Sequence, residues 1–135
     1  MKLTRTLFAI CVVLAVSAIA VTAQINPEIT GKRWKLTEVN GVEVTRGHAF
    51  LQLEANTNKY SGSSGCNFIG GEYKIEGTHI RFTLGFITRR ACLDNEMQKL
   101  ETEFTKVFYE VTDFKVEEEV LRLYKGDQLV LVFKA

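Results

Sequence analysis

Between Trp34 and Phe133 the apolar residues recur at every second position, in short runs separated by turn-forming residues, and this pattern confines most of the chain to half-buried strands. Trp34 and Leu36 alternate with Lys35 and Thr37 before an Asn40-Gly41 turn, and Leu51 and Leu53 alternate with Gln52 and Glu54 before a polar Asn56-Thr57-Asn58 turn and a strand starting at Tyr60. Tyr73 and Ile75 lead into Gly77-Thr78, a tight hairpin signal, and Ile80, Phe82 and Leu84 are expected to return on the same alternation. Phe114 and Val116 precede an acidic turn at residues 117–119; Leu121 and Leu123 follow, and Gly126-Asp127 reverses the chain into Leu129, Leu131 and Phe133. That last run is apolar on both faces, which predicts a central or covered strand.

One segment breaks the period. Over residues 94–108 the apolar positions Met97, Leu100, Phe104, Val107 and Phe108 follow helical spacing, and Glu96, Lys99, Glu101, Glu103 and Lys106 are assigned to the opposite face. Asp94 or Asn95 can cap the first turn, and Glu96 suits the positive end of the helix dipole. A single amphipathic helix packed on an antiparallel sheet is therefore expected, giving a mainly β, α+β class.

The N-terminus indicates export. Lys2 and Arg5 precede an apolar run over residues 7–20, and Val21-Thr22-Ala23 offers a small-residue cleavage site, so residues 1–23 read as a secretory signal peptide and residues 24–135 as one domain. Cys11 lies inside the apolar run, away from the start of the mature chain at Gln24, so no lipid anchor is expected. Loss of Lys2 and Arg5 from 17 basic residues, against 16 acidic ones, leaves the domain near neutral, with no broad basic footprint for nucleic acid or for a membrane surface. The mature chain keeps two cysteines, Cys66 and Cys92, and in an oxidising compartment such a pair reads first as a disulfide, with a metal pair or a redox couple as the alternatives.

Both cysteines sit in motifs. The first, Ser61-Gly62-Ser63-Ser64-Gly65-Cys66-Asn67, with Gly71 and Tyr73 behind it, is rich in small and turn-forming residues; the second is Thr88-Arg89-Arg90-Ala91-Cys92. A phosphate-cradling reading of the first is weak, because no Gly-Lys-Ser/Thr follows and no strand-to-helix transition is predicted there. Glycine is instead expected to permit unusual backbone angles or close packing at a corner, and Asn67 to satisfy backbone groups at the bend. His48 and His79, the two histidines, lack partners at nucleophile or zinc spacing, so no catalytic residue, metal or cofactor is assigned and an enzyme is not expected.

Trp34-Lys35-Leu36 with Asn40-Gly41, then Ser61-Gly62, Gly65-Cys66-Asn67, Gly71 and Tyr73, then Thr88 and Cys92, a helix and a closing pair of strands, resembles the META/HslJ family over nearly the whole mature chain. The resemblance implies a compact, barrel-like antiparallel sheet with one packed helix, a place in the bacterial envelope or outside the cell, links to stress, and no established catalysis. It implies cysteines at both Cys66 and Cys92, in keeping with a crosslink, and structural roles for Trp34, Gly62, Gly65, Asn67, Gly71, Tyr73 and Thr88. Arg89-Arg90 departs from the family, which often has an apolar residue at position 90. The pair either captures an anion or an acidic partner or forms a solvated pair balanced by Asp94 and Glu96.

Three functions follow for a periplasmic or secreted monomer. The leading one is a stress-associated, non-enzymatic binding or interaction module whose partner is unknown. The second is a lipocalin-like carrier of a small apolar molecule, with Trp34, Phe50, Phe82, Phe86 and Phe133 as the candidate lining. The third is an enzyme inhibitor acting through Arg89, Arg90 and the loop over residues 61–65. A filled interior with an exposed aromatic patch favours the first; a cavity of several hundred cubic ångströms, on the order expected for ligand sites, favours the second.

Overall fold

A computed structural model describes residues 28–135; the segment expected to be a signal peptide, its expected cleavage site, Cys11 and Pro27 lie outside the described residues. The alternating runs form β1 (Arg33–Val39), β2 (Val42–Glu43), β3 (Phe50–Leu53), β4 (Lys59–Ser63), β5 (Phe68–Glu76), β6 (His79–Ile87), β7 (Asp113–Glu117), β8 (Val120–Lys125) and β9 (Gln128–Lys134), with one helix, α1 (Asn95–Phe108), between β6 and β7. Every pairing is antiparallel, in the order β2-β1-β3-β4-β5-β6-β7-β8-β9, and β1 also pairs with β9, so the sheet closes into a ring. Closure leaves few free edges, namely the outer side of β2, which pairs with β1 alone, and the part of β6 beyond its contact with β7. The covered last strand expected from its two apolar faces is found: β9 lies between β8 and β1, with Val130, Leu131, Val132 and Phe133 all buried.

The ring is thinnest between β6 and β7, where one residue pair, His79 with Asp113, bridges the strands. Backbone bonds from Ile80 N to Thr112 O at 3.0 Å and from Phe114 N to Thr78 O at 2.9 Å complete that seam. Helix α1 occupies the connection between the two strands and fills the interior beside it. Phe108 stacks on Phe82 with ring centroids 4.3 Å apart and meets Tyr60 edge-on at 5.4 Å, and Phe104 reaches Phe133 at 6.4 Å. Such aromatic contacts add to an already large burial term. The helix begins as its sequence implies, with the Asp94 carboxylate accepting a bond from Glu96 N at 2.8 Å, and ends in a tightened turn from Glu110 N to Val107 O.

Two apolar residues depart from the expected alternation, each beside an irregular register. Gly71 faces Leu84 and Gly70 faces Phe86, leaving Gly85 as an extra residue in β6, and Leu84 is 54% exposed rather than buried. Leu84 also lies on the stretch of β6 that has no β7 partner. In β9, Leu131 faces Leu123 and Leu129 faces Tyr124, so Val130 takes the buried place and Leu129 is exposed.

Gly71 shows why the first motif needs its glycines. A Cβ there would collide with the Thr83 carbonyl oxygen, approach Gly85 N at 2.8 Å and crowd the Tyr60 ring at 3.0 Å. Two of these neighbours are backbone and cannot swing away. Gly71→Ala is therefore expected to destabilise the fold by about 2 to 3 kcal/mol, read as a lower urea midpoint at unchanged slope; an unchanged midpoint would contradict the close approach.

Tyr60, Tyr73 and Tyr109 provide a second test of burial. The Tyr60 hydroxyl lies 3.2 Å from both the Tyr109 hydroxyl and the Thr83 carbonyl oxygen, and the Tyr73 hydroxyl donates to Glu54 O at 2.7 Å. Burial pushes the Tyr60 phenol far above its ordinary range, with the bond to Tyr109 adding to the shift. Burial likewise raises Tyr109, against an opposing bond from Tyr60, and raises Tyr73, with the Glu54 charge as a lesser cause. A phenol whose folded value is raised contributes stability that is complete below the unfolded value of about 10 and is lost as pH climbs above it. These three phenols should ionise only in the cooperative step in which the chain unfolds, followed by phenolate absorbance against circular dichroism. Gradual ionisation of all three before unfolding would contradict the packing.

Candidate functional site

The two cysteine motifs meet on one side of the barrel. Cys66 and Cys92 form a disulfide with Cα atoms 5.6 Å apart, tying the β4–β5 connection to the segment that enters α1. The loop turns at Gly65, whose φ of +124° is a region that side-chain-bearing residues rarely enter, and Met97 of the helix packs over it. Each remaining motif residue then has a visible task. Trp34 is fully buried and its indole donates to Ile29 O at 2.8 Å. Thr88 Oγ1 accepts from Phe68 N at 2.9 Å and donates to Asn67 Oδ1 at 3.0 Å. Gly62, like Gly71, lies where a Cβ would collide with backbone, here the Phe50 carbonyl oxygen.

Asn67 satisfies backbone as expected, but across the site rather than within its own bend. Its Oδ1 accepts from Arg90 N and its Nδ2 donates to Arg90 O at 3.2 Å, clamping the second motif to the first. Nδ2 also donates to Glu101 Oε1 at 2.6 Å, and Ser64 Oγ donates to the same oxygen at 2.8 Å. Ser64, Asn67 and Glu101 are all buried, Glu101 being 8% exposed. The remaining carboxylate oxygen, Oε2, lies 3.2 Å from Cys92 Sγ.

Glu101 corrects the sequence reading, which placed it on the polar face of the helix. It lies four residues after Met97 and three before Phe104, so helical geometry sets it inside the apolar stripe. That position is the signal that could have identified it. Asp94 and Glu96 correct another expectation: they lie 3.7 and 3.1 Å from Arg46, not beside Arg89 and Arg90. Among the described residues neither Arg89 nor Arg90 is ion-paired, and both are exposed.

An open groove of about 700 Å³ runs along this site, between the second motif and α1, with Asn67, Thr88 and Glu101 at its base and Arg89, Arg90 and Lys106 along it. A second groove of about 590 Å³ lies between the β1–β2 hairpin and α1, with Val39, Val42, Val44, Met97 and Leu100 as its apolar floor. Of the five aromatics considered as a cavity lining, Trp34, Phe82 and Phe133 are packed in the core, whereas Phe50 is half-buried and Phe86 is 54% exposed. Phe86 covers Gly70, where any Cβ would collide with its ring.

His79 opens β6 and its Nδ1 lies 2.6 Å from Asp113 Oδ1 across the seam, and the Ser64 hydroxyl donates to Glu101. Among the described residues, Cys66, Cys92 and Glu101 form a group at metal-ligand spacing, but the two sulfurs are bonded to each other and carry no thiolate to offer an ion.

Comparison with known proteins agrees with this architecture. Three solved structures resemble it in fold. The first, an NMR structure, is 23% identical, has a TM-score of 0.63, and the match covers 79% of this chain and 91% of that one. An NMR structure of a Burkholderia xenovorans protein is 22% identical with a TM-score of 0.62, covering 78% and 82%. A crystal structure of a DUF4847 family protein from Bacteroides vulgatus is 13% identical with a TM-score of 0.59, covering 78% and 93%. No curated protein matches the chain. The META domain model matches residues 27–135, and the chain belongs to the META domain family.

Proposed function

We propose that this protein is an exported, monomeric and non-enzymatic interaction module that binds an acidic partner protein through the outer face of β5 and β6 and the adjoining arginine pair. The observation that carries this reading is a filled interior beside an exposed aromatic and cationic surface. Inside, Phe82, Phe104, Phe108 and Phe133 pack ring against ring. Outside, Phe68 and Phe86 are 45% and 54% exposed. Phe68 and Gly70 alternate onto one face of β5, and Phe86 faces Gly70, so the two rings share that surface. The Arg90 guanidinium lies 5.7 Å from the Phe68 ring centre, and Arg89 is beside it. Exposed aromatics with unpaired guanidinium groups suit a partner that offers carboxylates next to apolar side chains.

Export is supported by the leader-like N-terminus and by the disulfide, and among the described residues no helix is long and apolar enough to cross a membrane. The carrier reading draws no comparable support, because Trp34, Phe82 and Phe133 are occupied with core packing. An inhibitor acting through Arg89 and Arg90 is a special case of the proposal, but the segment over residues 61–65 does not offer the expected surface, because Gly62, Ser63 and Ser64 are buried.

Selection from a random peptide library tests it. Enriched peptides should combine Asp or Glu with aromatic or aliphatic residues, and Arg89→Glu with Arg90→Glu should weaken their binding by about tenfold or more, with the loss of its salt dependence. Enrichment of uncharged or basic peptides, or binding indifferent to the double reversal, would remove this surface from the account.

A further inference from the structure

The carboxylate of Glu101 is placed against a disulfide in a way that structural support alone does not explain. Ser64 and Asn67 both bond to Oε1, which fixes the direction of the group. Oε2 then points at Cys92 Sγ, 3.2 Å away. A disulfide sulfur has no proton to donate, and among the described residues no N–H or O–H reaches Oε2. Taking a carboxyl group largely out of water is costly, and an apolar side chain would pack on a purely structural disulfide at lower cost. Both cysteines are only half-buried, so a thiol can approach the bond.

We infer that Cys66–Cys92 is a thiol-disulfide exchange site in which Glu101 moves the proton at Cys92. A thiolate of a small thiol or of a partner protein attacks Cys66 Sγ in line with the S–S bond. A bond forms between the incoming sulfur and Cys66, the Cys66–Cys92 bond breaks, and its electron pair passes to Cys92 Sγ. That sulfur would become a thiolate facing a carboxylate, an unfavourable pairing, unless Glu101, taking up a proton from solvent at the groove it lines, passes that proton to Cys92 Sγ as the bond breaks. The products are a mixed disulfide at Cys66, a Cys92 thiol and a Glu101 carboxylate. In the reverse direction Glu101 takes the proton from Cys92, whose thiolate attacks Cys66 and expels the original thiolate. Each passage is a single exchange without turnover, which leaves the interaction reading intact and independent of it. In the reduced protein the Cys92 thiol donates to Oε2, the bond that the oxidised state lacks.

The rate of reduction by dithiothreitol in the folded, exported protein, from Gln24 to Ala135 with Cys66 and Cys92 as its two cysteines, tests this directly. Glu101→Gln keeps the shape and cannot deliver a proton, so reduction should slow by about a hundredfold, the size typical of general acid catalysis. Glu101→Asp should recover part of the rate, and Ser64→Ala, which removes one of the two bonds that fix the carboxyl group, should slow reduction by less than Glu101→Gln does. A merely structural Glu101 gives the opposite sign, because loosening the loop exposes the bond and speeds reduction. Equal or faster reduction of Glu101→Gln would overturn the inference. Should that variant fail to fold, the infrared spectrum of the reduced parent decides: one S–H band displaced by bonding to a carboxylate is expected, and two undisplaced bands would overturn it.

Discussion

Phe108→Ala is expected to be the most damaging single truncation, lowering stability by about 4 kcal/mol, a large part of the 5 to 15 kcal/mol typical of a domain. The ring is fully buried and lies among Phe82, Phe104 and Tyr60, so its removal leaves a cavity bounded by other rings that cannot all relax into it. It also weakens the place where the barrel is thinnest, because α1 closes the interior beside a seam with one bridging residue pair. Chemical denaturation gives the value. The same truncation at Val42, an exposed residue of the β1–β2 hairpin, is expected to cost less than about 0.5 kcal/mol. Similar losses at the two positions would mean that the helix does not complete the core.

The disulfide has the next largest effect. Cys66 and Cys92 are 26 residues apart, and closing a loop of that length removes conformational freedom from the unfolded chain worth about 3.5 kcal/mol. Cys66→Ser should therefore cost about that much when the parent is oxidised, and little when both proteins are compared under full reduction. Equal losses in both conditions would assign the effect to packing of the sulfur rather than to the crosslink. The comparison bears on function as well, since the crosslink holds the second motif, and with it Arg90, near the β5 surface where Phe68 lies.

The strands and the helix were legible because their periods differ. Trp34 and Leu36, Tyr73, and Ile80 and Phe82 take the core positions that alternation assigns, and the stripe through Phe104 and Phe108 is the face by which α1 packs. The failures at Leu84 and Leu129 have different causes: the extra residue Val130 reverses the facing of Leu129, whereas Leu84 keeps its register with Gly71 and is exposed where β6 has no β7 partner, and a period of two carries no record of either. The site was half legible. The cysteines, the motif glycines and Asn67 were singled out by residue type and by family resemblance, and the structure gives each a contact that fits. Glu101 was passed over because a charged residue is ordinarily assigned to the solvated face. Its partners, Ser64 and Asn67, lie 37 and 34 residues away, a distance at which sequence spacing says nothing. The exposed aromatic surface was missed for a related reason: Phe86 has the composition of a core residue, and its place above Gly70 depends on the bulge.

Phe82, Phe104, Phe108 and Phe133 pack together inside the barrel, and the proposed binding surface lies outside it. Native mass spectrometry of the protein purified from its exported fraction, without reductant, tests that claim most directly. The predicted result is a bare monomer with the mass of Gln24 to Ala135 less two hydrogens. A reproducible extra mass that dissociates on denaturation would contradict it, since a retained small molecule requires interior space that the packed rings are said to occupy.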